Sequence, residues 1–483
     1  MAHSKGLLNN LAWKFSERVA SQLVSFVVSI VLARLLMPSD YGAIAMVMVF
    51  ITLAQVLVDG GFSGALIQKK NADKLDFSTV FYFVLAVSLL LYVILWFTAP
   101  YIADFYGKEY EILTPVFRVL GIQVIIYGVN SIQQAYVSRE MMFKKFFYAT
   151  LAGTIISGCV GLLMAYNGYG IWSLVGQQLT MSVVNTFTLF LVTRKLPALI
   201  FSWGRLKILL GFGIKLFGAS LLVAFYQEVR SLIIGKVYSS KELAFFDRGK
   251  TFPSLLVNNI NSSIGAVLFP KLSQQQDDLL SVKSTTRHSI RFSTYVLCPL
   301  MLGLAAVAEP LIHLLLTEKW MPCVPYMQVL CVAFVFMPIH TANMQAIKAI
   351  GRSDIIMILE VVKKVIELVT LLMVMRMGVL AIAINMAVLN FAFIFINAYP
   401  NVKNLNYSLK EQLVDVFPNF LVSGIMAGIV LLIGVLPLGD LPLLIIQVIV
   451  GGIFYWGISK LIKNPEYQYI VELIKNKINT QKS

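Results

Sequence analysis

The sequence predicts an all-α integral membrane protein of about 14 transmembrane helices, built as two pseudo-symmetric six-helix bundles with a C-terminal helix pair. Three observations carry that prediction. The 483 residues are 58% hydrophobic and 13% charged, with a mean hydropathy of +0.79, whereas soluble domains carry about a quarter charged residues. Apolar stretches long enough to span a bilayer follow one another along the chain, separated by short polar turns. A weak internal repeat also holds one offset: residues 28–42 lie over 230–244, and 65–69 over 267–271, both 202 positions apart.

Windows near 20 residues place the spans at roughly 13–36, 42–67, 78–99, 112–136, 146–166, 170–193, 207–236, 243–269, 291–316, 322–347, 355–377, 379–399, 413–435 and 441–461. The first has no small-residue cleavage site after it and reads as a membrane helix, not a signal peptide. The eighth carries Asp247, Arg248, Lys250, Pro253, Asn258, Asn259 and Asn261, too polar a set to face lipid. Span 7 copies span 1 and span 8 copies span 2. Six spans separate the copies, so both halves run the same way and are related by an axis along the membrane normal. The expected units are therefore 1–200, 201–402 and a trailing 403–483, whose helix pair reads as a lipid-facing addition.

Charge sets the orientation. Of the 39 Lys and Arg, 25 fall on the side that holds the N-terminus, six on the other, and eight deep in spans. That bias places both termini in the cytoplasm. It also accounts for most of the net charge of +15 without nucleic acid as a partner. Cys159, Cys298, Cys323 and Cys331 lie in or beside apolar segments with no CxxC spacing, so they read as packing residues and not as a metal site or disulfide framework. There is no GxxxxGK[ST], which excludes ATP-driven transport by this chain alone. No GxSxG motif, paired catalytic carboxylates or metal-spaced cluster appears, and no enzyme is expected. No cofactor is expected either; coupling to an H+ or Na+ gradient is the open alternative.

Ionisable residues inside the spans are costly in hydrocarbon, about 2.5–3.5 kcal/mol each on insertion scales, so each must be paired, wet or snorkelling. For Arg18, headgroup anchoring and cavity lining both stand, and the same holds for Arg118. Glu360, Lys363, Lys364 and Glu367 share one helix face as built-in ion pairs. Lys215 has no acid one turn away and is a candidate for substrate contact. Glu228 and Arg230 in the seventh span and Asp247, Arg248 and Lys250 in the eighth flank a tight turn and are expected to line one cavity. Asp59, ahead of Gly60-Gly61, is a candidate coupling carboxylate. His340, after Pro338, reads either as a proton relay or as a hydrogen-bonded structural histidine. The substrate-binding candidates are thus Arg18, Arg118, Lys215, Arg230, Arg248 and Lys250; the coupling or gating candidates are Asp59, Glu228, Asp247 and His340. Excess basic charge favours an anionic cargo, and two bundles suggest alternating access.

Two stretches carry a family resemblance. Pro38-Ser39-Asp40-Tyr41-Gly42, then Asp59-Gly60-Gly61-Phe62-Ser63-Gly64-Ala65-Leu66-Ile67-Gln68-Lys69-Lys70, resemble an N-terminal signature of polysaccharide exporters. Glu242-Leu243-Ala244-Phe245-Phe246-Asp247-Arg248-Gly249, then Val267-Leu268-Phe269-Pro270-Lys271-Leu272-Ser273, resemble their mid-chain signature. Phe245-Phe246 stands where that signature has Tyr followed by an aromatic residue, which puts any hydroxyl role in doubt. The chain is thus similar to the polysaccharide transporter branch of the multidrug/oligosaccharidyl-lipid/polysaccharide exporter superfamily, and to its Wzx-type, colanic- and teichuronic-acid exporter-like members. The resemblance implies a flippase of lipopolysaccharide or exopolysaccharide biosynthesis in a bacterial inner membrane. Its cargo would be an undecaprenyl-diphosphate-linked oligosaccharide, moved from the cytoplasmic to the periplasmic leaflet. A polysaccharide polymerase and chain-length machinery would be its partners, although no residue points to them. The rival readings are a cation-coupled drug antiporter of the same superfamily, a lipid II-type flippase, and a membrane scaffold for an assembly complex.

Overall fold

The computed structural model describes residues 21–194 and 197–482, and at 143, 212, 215, 216, 219, 473, 474 and 476–482 the backbone only. Among the described residues there is no strand. The chain divides into two compact units between Ala244 and Phe245. The first holds α1 (Ser21–Leu35), α2 (Pro38–Asp59), α3 (Phe62–Gln68), α4 (Lys74–Tyr106), α5 (Leu113–Leu120), α6 (Ile122–Arg139), α7 (Phe143–Tyr166), α8 (Ile171–Thr193) and α9 (Trp203–Val237). Helix α10 (Ser240–Gln274) runs across the division. The second unit continues with α11 (Leu279–Ala306), α12 (Ala308–Leu316), α13 (Val324–Phe334), α14 (Met337–Ala349), α15 (Ser353–Val374), α16 (Val379–Leu405), α17 (Leu409–Ile433), α18 (Asp440–Leu461) and α19 (Pro465–Lys482).

The repeat recurs in the elements. Helix α2 starts at Pro38 and α10 at Ser240, the same 202 positions apart. Both halves also hold spans made of shorter helices: α2–α3 and α5–α6 in the first, and α13–α14 with the 3-10 turn before them in the second. Among the described residues ten helical stretches are long and apolar enough to cross a membrane. Helices α9 and α10, at 35 residues each, measure about 52 Å at ~1.5 Å per residue, and α15 has 22 residues. All three have the length to span but carry the charges singled out above. The chain is a multi-pass membrane protein, with large apolar side chains such as Leu90 and Phe97 on α4 and Val361 and Val365 on α15 turned outward, where lipid covers them.

Local chemistry explains the boundaries. Pro38 sits at the start of α2, where its missing N–H costs nothing, and the Asp40 carboxylate accepts from the Met37 N–H at 3.1 Å. Helix α4 opens on a reciprocal cap. The Asp76 N–H donates to Asp73 at 2.9 Å and the Asp73 N–H to Asp76 at 3.2 Å. That amide of Asp76, then Arg205, holds the Asp73 carboxyl below the usual carboxylate range. Asp278 caps α11 by accepting from the N–H groups of Leu280 and Ser281 at 3.0 and 3.2 Å. Pro253 deprives α10 of one ladder bond, and the hydroxyls of Thr251 and Ser254 bond back to the carbonyls of Asp247 and Lys250 on either side of it. Between α6 and α8, Asn130 donates to Thr186 at 2.7 Å and Thr193 to Gln133 at 3.0 Å, side-chain bonds of the kind that join helices in hydrocarbon.

Two charge networks fix helix ends. In the first unit the fully buried Asp76 carboxylate binds Lys69 at 2.6 Å and Arg205 of α9 at 3.6 Å. Asp76→Ala would strip Lys69 of this carboxylate and leave Arg205 with Asp73 alone, 3.6 Å away. It is expected to cost about 2–3 kcal/mol, the buried-pair loss reduced for the partial exposure of Lys69 and Arg205, and to lower the melting temperature of the purified protein. An unchanged melting temperature would remove the network from the fold's support.

In the second unit Lys283, Arg287 and Arg291, successive at i, i+4 and i+8 on α11, bind Glu411, Asp415 and Glu466 at 3.0, 2.7 and 3.1 Å. The sequence reading placed these three cations on the cytoplasmic side ahead of a span starting at 291. The helix starts at Leu279, because Asp278 caps it and its polar face is paired. Helix α17 is likewise not only lipid-facing: Glu411 and Asp415 clamp it to α11, while Val414, Phe417 and Leu421 point outward.

Candidate functional site

In the first unit the candidate charges sit on α9, at the end of α2 and on α5. Glu228 and Arg230 are half-buried on α9. Glu228 lies within electrostatic reach of Tyr106, whose hydroxyl donates to the Met46 carbonyl at 3.3 Å. Further along α9, Gly235 packs where an added Cβ would meet both Met46 and Tyr106 at 3.1 Å. Helices α2, α4 and α9 are therefore pressed together beside Glu228.

Asp59 accepts a hydrogen bond from the Ser63 hydroxyl and ends α2 at a break formed by Gly60 (φ 50°) and Gly61 (φ 76°), conformations that favour glycine. Gly61 also rests on the α9 backbone, where an added Cβ would fall 2.3 Å from the Gly213 carbonyl oxygen. Arg139 of α6 donates to the carbonyls of Leu66 at 2.8 Å and Lys70 at 2.7 Å, closing the end of α3. The sequence reading gave Arg139 no such role. Arg118 on α5 lies 4.8 Å from the centre of the Trp96 ring and donates to the Trp96 carbonyl at 3.4 Å, a packing contact between α5 and α4.

The second unit holds Asp247, Arg248 and Lys250, all on α10. Arg248 is buried, with its guanidinium 5.0 Å from the centre of the fully buried Trp320 ring. Gly249 lies against the chain entering α13, where an added Cβ would sit 2.9 Å from Cys323 O and Met327 N. Asp247 and Lys250, one turn apart and both half-buried, share the remaining face. Glu228 and Arg230 belong to the first unit, and Asp247, Arg248 and Lys250 to the second.

His340 on α14 is held on both sides: Nε2 lies 3.0 Å from the Asn390 carbonyl oxygen and Nδ1 2.9 Å from the Asn397 amide nitrogen. A neutral ring with its proton on Nε2 satisfies both contacts. His340 borders a pocket of about 400 Å³ between α14, α15 and α16. The ion pairs Lys363–Glu360 and Lys364–Glu367, at 2.6 and 2.8 Å, border the same pocket. The first unit has a pocket of about 390 Å³ bordered by α1, α2, α6, α7 and α8, with Gln123, Thr154, Ser157 and Gln177 among its lining and no charged residue in it. Sequence reasoning missed Asn390 and Asn397. Their spacing of seven, two turns apart on one face of a largely apolar helix, was the available signal.

Arg18 lies outside the described residues, as does the side chain of Lys215. Among the described residues no three His, Cys, Asp or Glu side chains gather as a metal site.

A succession of helices long and apolar enough to cross a membrane, with ionisable residues buried or half-buried on α9, α10 and α15, marks a polytopic membrane transporter. The chain belongs to the polysaccharide biosynthesis protein family, whose profile matches residues 31–325 and so takes in both signatures. It is 22% identical over 354 residues to the succinoglycan biosynthesis transport protein ExoT of Rhizobium meliloti (strain 1021), covering 73% of this chain and 71% of that one. It is 24% identical over 304 residues to the teichuronic acid biosynthesis protein TuaB of Bacillus subtilis (strain 168), covering 62% of each. Among solved structures the fold is similar to the lipid II flippase MurJ in an inward closed conformation, with a TM-score of 0.77 at 15% identity over 96% of this chain and all of that one.

Proposed function

We propose that the protein is a flippase for undecaprenyl-diphosphate-linked oligosaccharides, moving them by alternating access from the cytoplasmic to the outer leaflet of a bacterial inner membrane. It is a transport protein and not an enzyme. The observation that carries this reading is the family match over residues 31–325, which includes the charged helices α9 and α10. Half-buried Arg230 and Lys250 stand on helices otherwise long enough to lie within a bilayer. Cations held there suit an anionic head whose tail stays in lipid. The distribution of Lys and Arg supports cytoplasmic termini. A gradient of H+ or Na+ supplies the driving force in this proposal, and a polysaccharide polymerase acts on the delivered units.

Depleting the protein in its host and analysing polyprenyl-linked sugars by mass spectrometry tests the reading. Accumulation of one completed lipid-linked unit, inaccessible from the periplasm, is the expected result. Unchanged lipid-linked sugars with an intact surface polymer would overturn it and favour an antiporter or a scaffold.

A further inference from the structure

We propose that the pocket between α14, α15 and α16 binds one uncharged sugar residue of the carried saccharide, an inference that rests on the flippase reading. At about 400 Å³ the pocket falls in the size range of small-molecule sites, about 300–1,000 Å³. Its position is set by α15, whose apolar residues Met357, Ile358, Val361 and Val362 are exposed while Glu360, Lys363, Lys364 and Glu367 border the pocket. The charged face therefore borders the pocket, while the exposed apolar residues cover the other side of the helix.

The charges cancel. Each lysine is bound to a glutamate at 2.6 or 2.8 Å, and His340 is satisfied as a neutral ring. An anion entering here would have to break an ion pair and leave a carboxylate facing it, whereas an uncharged ligand would not. An acyl chain would strip water from charged groups and return nothing.

Hydrogen-bond capacity narrows the ligand further. Asn397 is 2% exposed, and among the described residues its Oδ1 meets no donor, nor does Gln345 Oε1. Both residues border the pocket. The Asn390 amide donates to the Met386 carbonyl at 2.9 Å and the Asn397 amide is in contact with His340. The two glutamates add lone pairs to the wall, and each lysine ammonium carries three N–H donors. A ligand whose hydroxyls both donate and accept matches such a wall. Phe393 and Met344 give the pocket an apolar side for the C–H face of a ring. A polyhydroxylated ring supplies both.

The test uses the purified full-length protein in detergent and native mass spectrometry with two lipids. One is undecaprenyl diphosphate; the other is the lipid-linked saccharide extracted from cells depleted of the protein. The wild type is expected to bind the saccharide-bearing lipid about tenfold more tightly. Met344→Trp, which fills the pocket, is expected to abolish that preference and leave undecaprenyl diphosphate binding unchanged. Gln345→Leu, close in shape, removes one acceptor, is expected to reduce the preference, and carries the test if Met344→Trp does not fold. Equal binding of both lipids by the wild type, or a preference that survives in the folded variants, would overturn the pocket assignment and leave the flippase reading standing. Binding of neither lipid would overturn the flippase reading itself.

Discussion

Gly42→Ala is expected to remove most of the folded protein from the membrane. Gly42 lies in the second turn of α2, and an added Cβ would sit 1.7 Å from the Ser240 carbonyl oxygen and 2.3 Å from its carbon. Both atoms are backbone at the start of α10, and the Ser240 N–H is itself bound to the Tyr110 hydroxyl at 3.1 Å, so no flexible side chain can yield. Intrinsic propensity works the other way, since alanine is better than glycine in a helix by about 1 kcal/mol. The overpacking term, about 1–3 kcal/mol or more where backbone must shift, outweighs it. Gly428→Ala on α17 is the control: nothing lies within 4 Å of its added Cβ, and it should leave stability unchanged or raise it by up to about 1 kcal/mol. Size-exclusion yield and melting temperature of the purified variants decide the matter. A Gly42→Ala protein as abundant and as stable as Gly428→Ala would mean that α2 and the start of α10 do not approach so closely.

That close approach also explains part of what the sequence could and could not reveal. The composition, the succession of spans and the 202-residue offset were readable because each is a local pattern along the chain. The glycines of the two signatures were legible as positions, but not by what they pack against. Gly42, Gly61 and Gly249 each lie where an added Cβ would strike the backbone of a distant segment, Ser240, Gly213 and Cys323 respectively. Nothing local marks such a partner.

Helix α11 begins at Leu279, twelve residues ahead of the span expected from 291, for a related reason. A hydropathy window sees Lys283, Arg287 and Arg291 as loop, but their partners Glu411, Asp415 and Glu466 lie more than 100 residues away. The face of α15 formed by Glu360, Lys363, Lys364 and Glu367 was legible from its spacing. Its convergence with His340, Asn390 and Asn397 depends on how three helices pack and was not.

Arg230→Gln and Lys250→Gln are each expected to cut export by tenfold or more with the protein still present at its normal level. Both side chains are half-buried on helices with the length to span, where a retained cation is costly unless it serves a ligand or a partner. Charge-assisted hydrogen bonds contribute about 1.5–3 kcal/mol, and losing one of that strength from the transporting state corresponds to about 10- to 100-fold in rate. Glutamine keeps much of the length and polarity, so the change reports on charge more than on packing. Arg248→Gln is expected to behave differently. Its guanidinium is stacked on the buried Trp320 ring, so the substitution should lower abundance before it lowers export per molecule. The readouts are surface polymer, accumulated lipid-linked unit and protein level measured in the same cells. Export at the wild-type rate in both Arg230→Gln and Lys250→Gln, at normal protein level, would take these cations out of the path. A loss confined to Arg248→Gln, and proportional to its loss of protein, would leave the charges of α9 and α10 with a structural role only. A loss in Arg230→Gln and Lys250→Gln at constant abundance has no such structural explanation, because the protein it disables is still folded and in place.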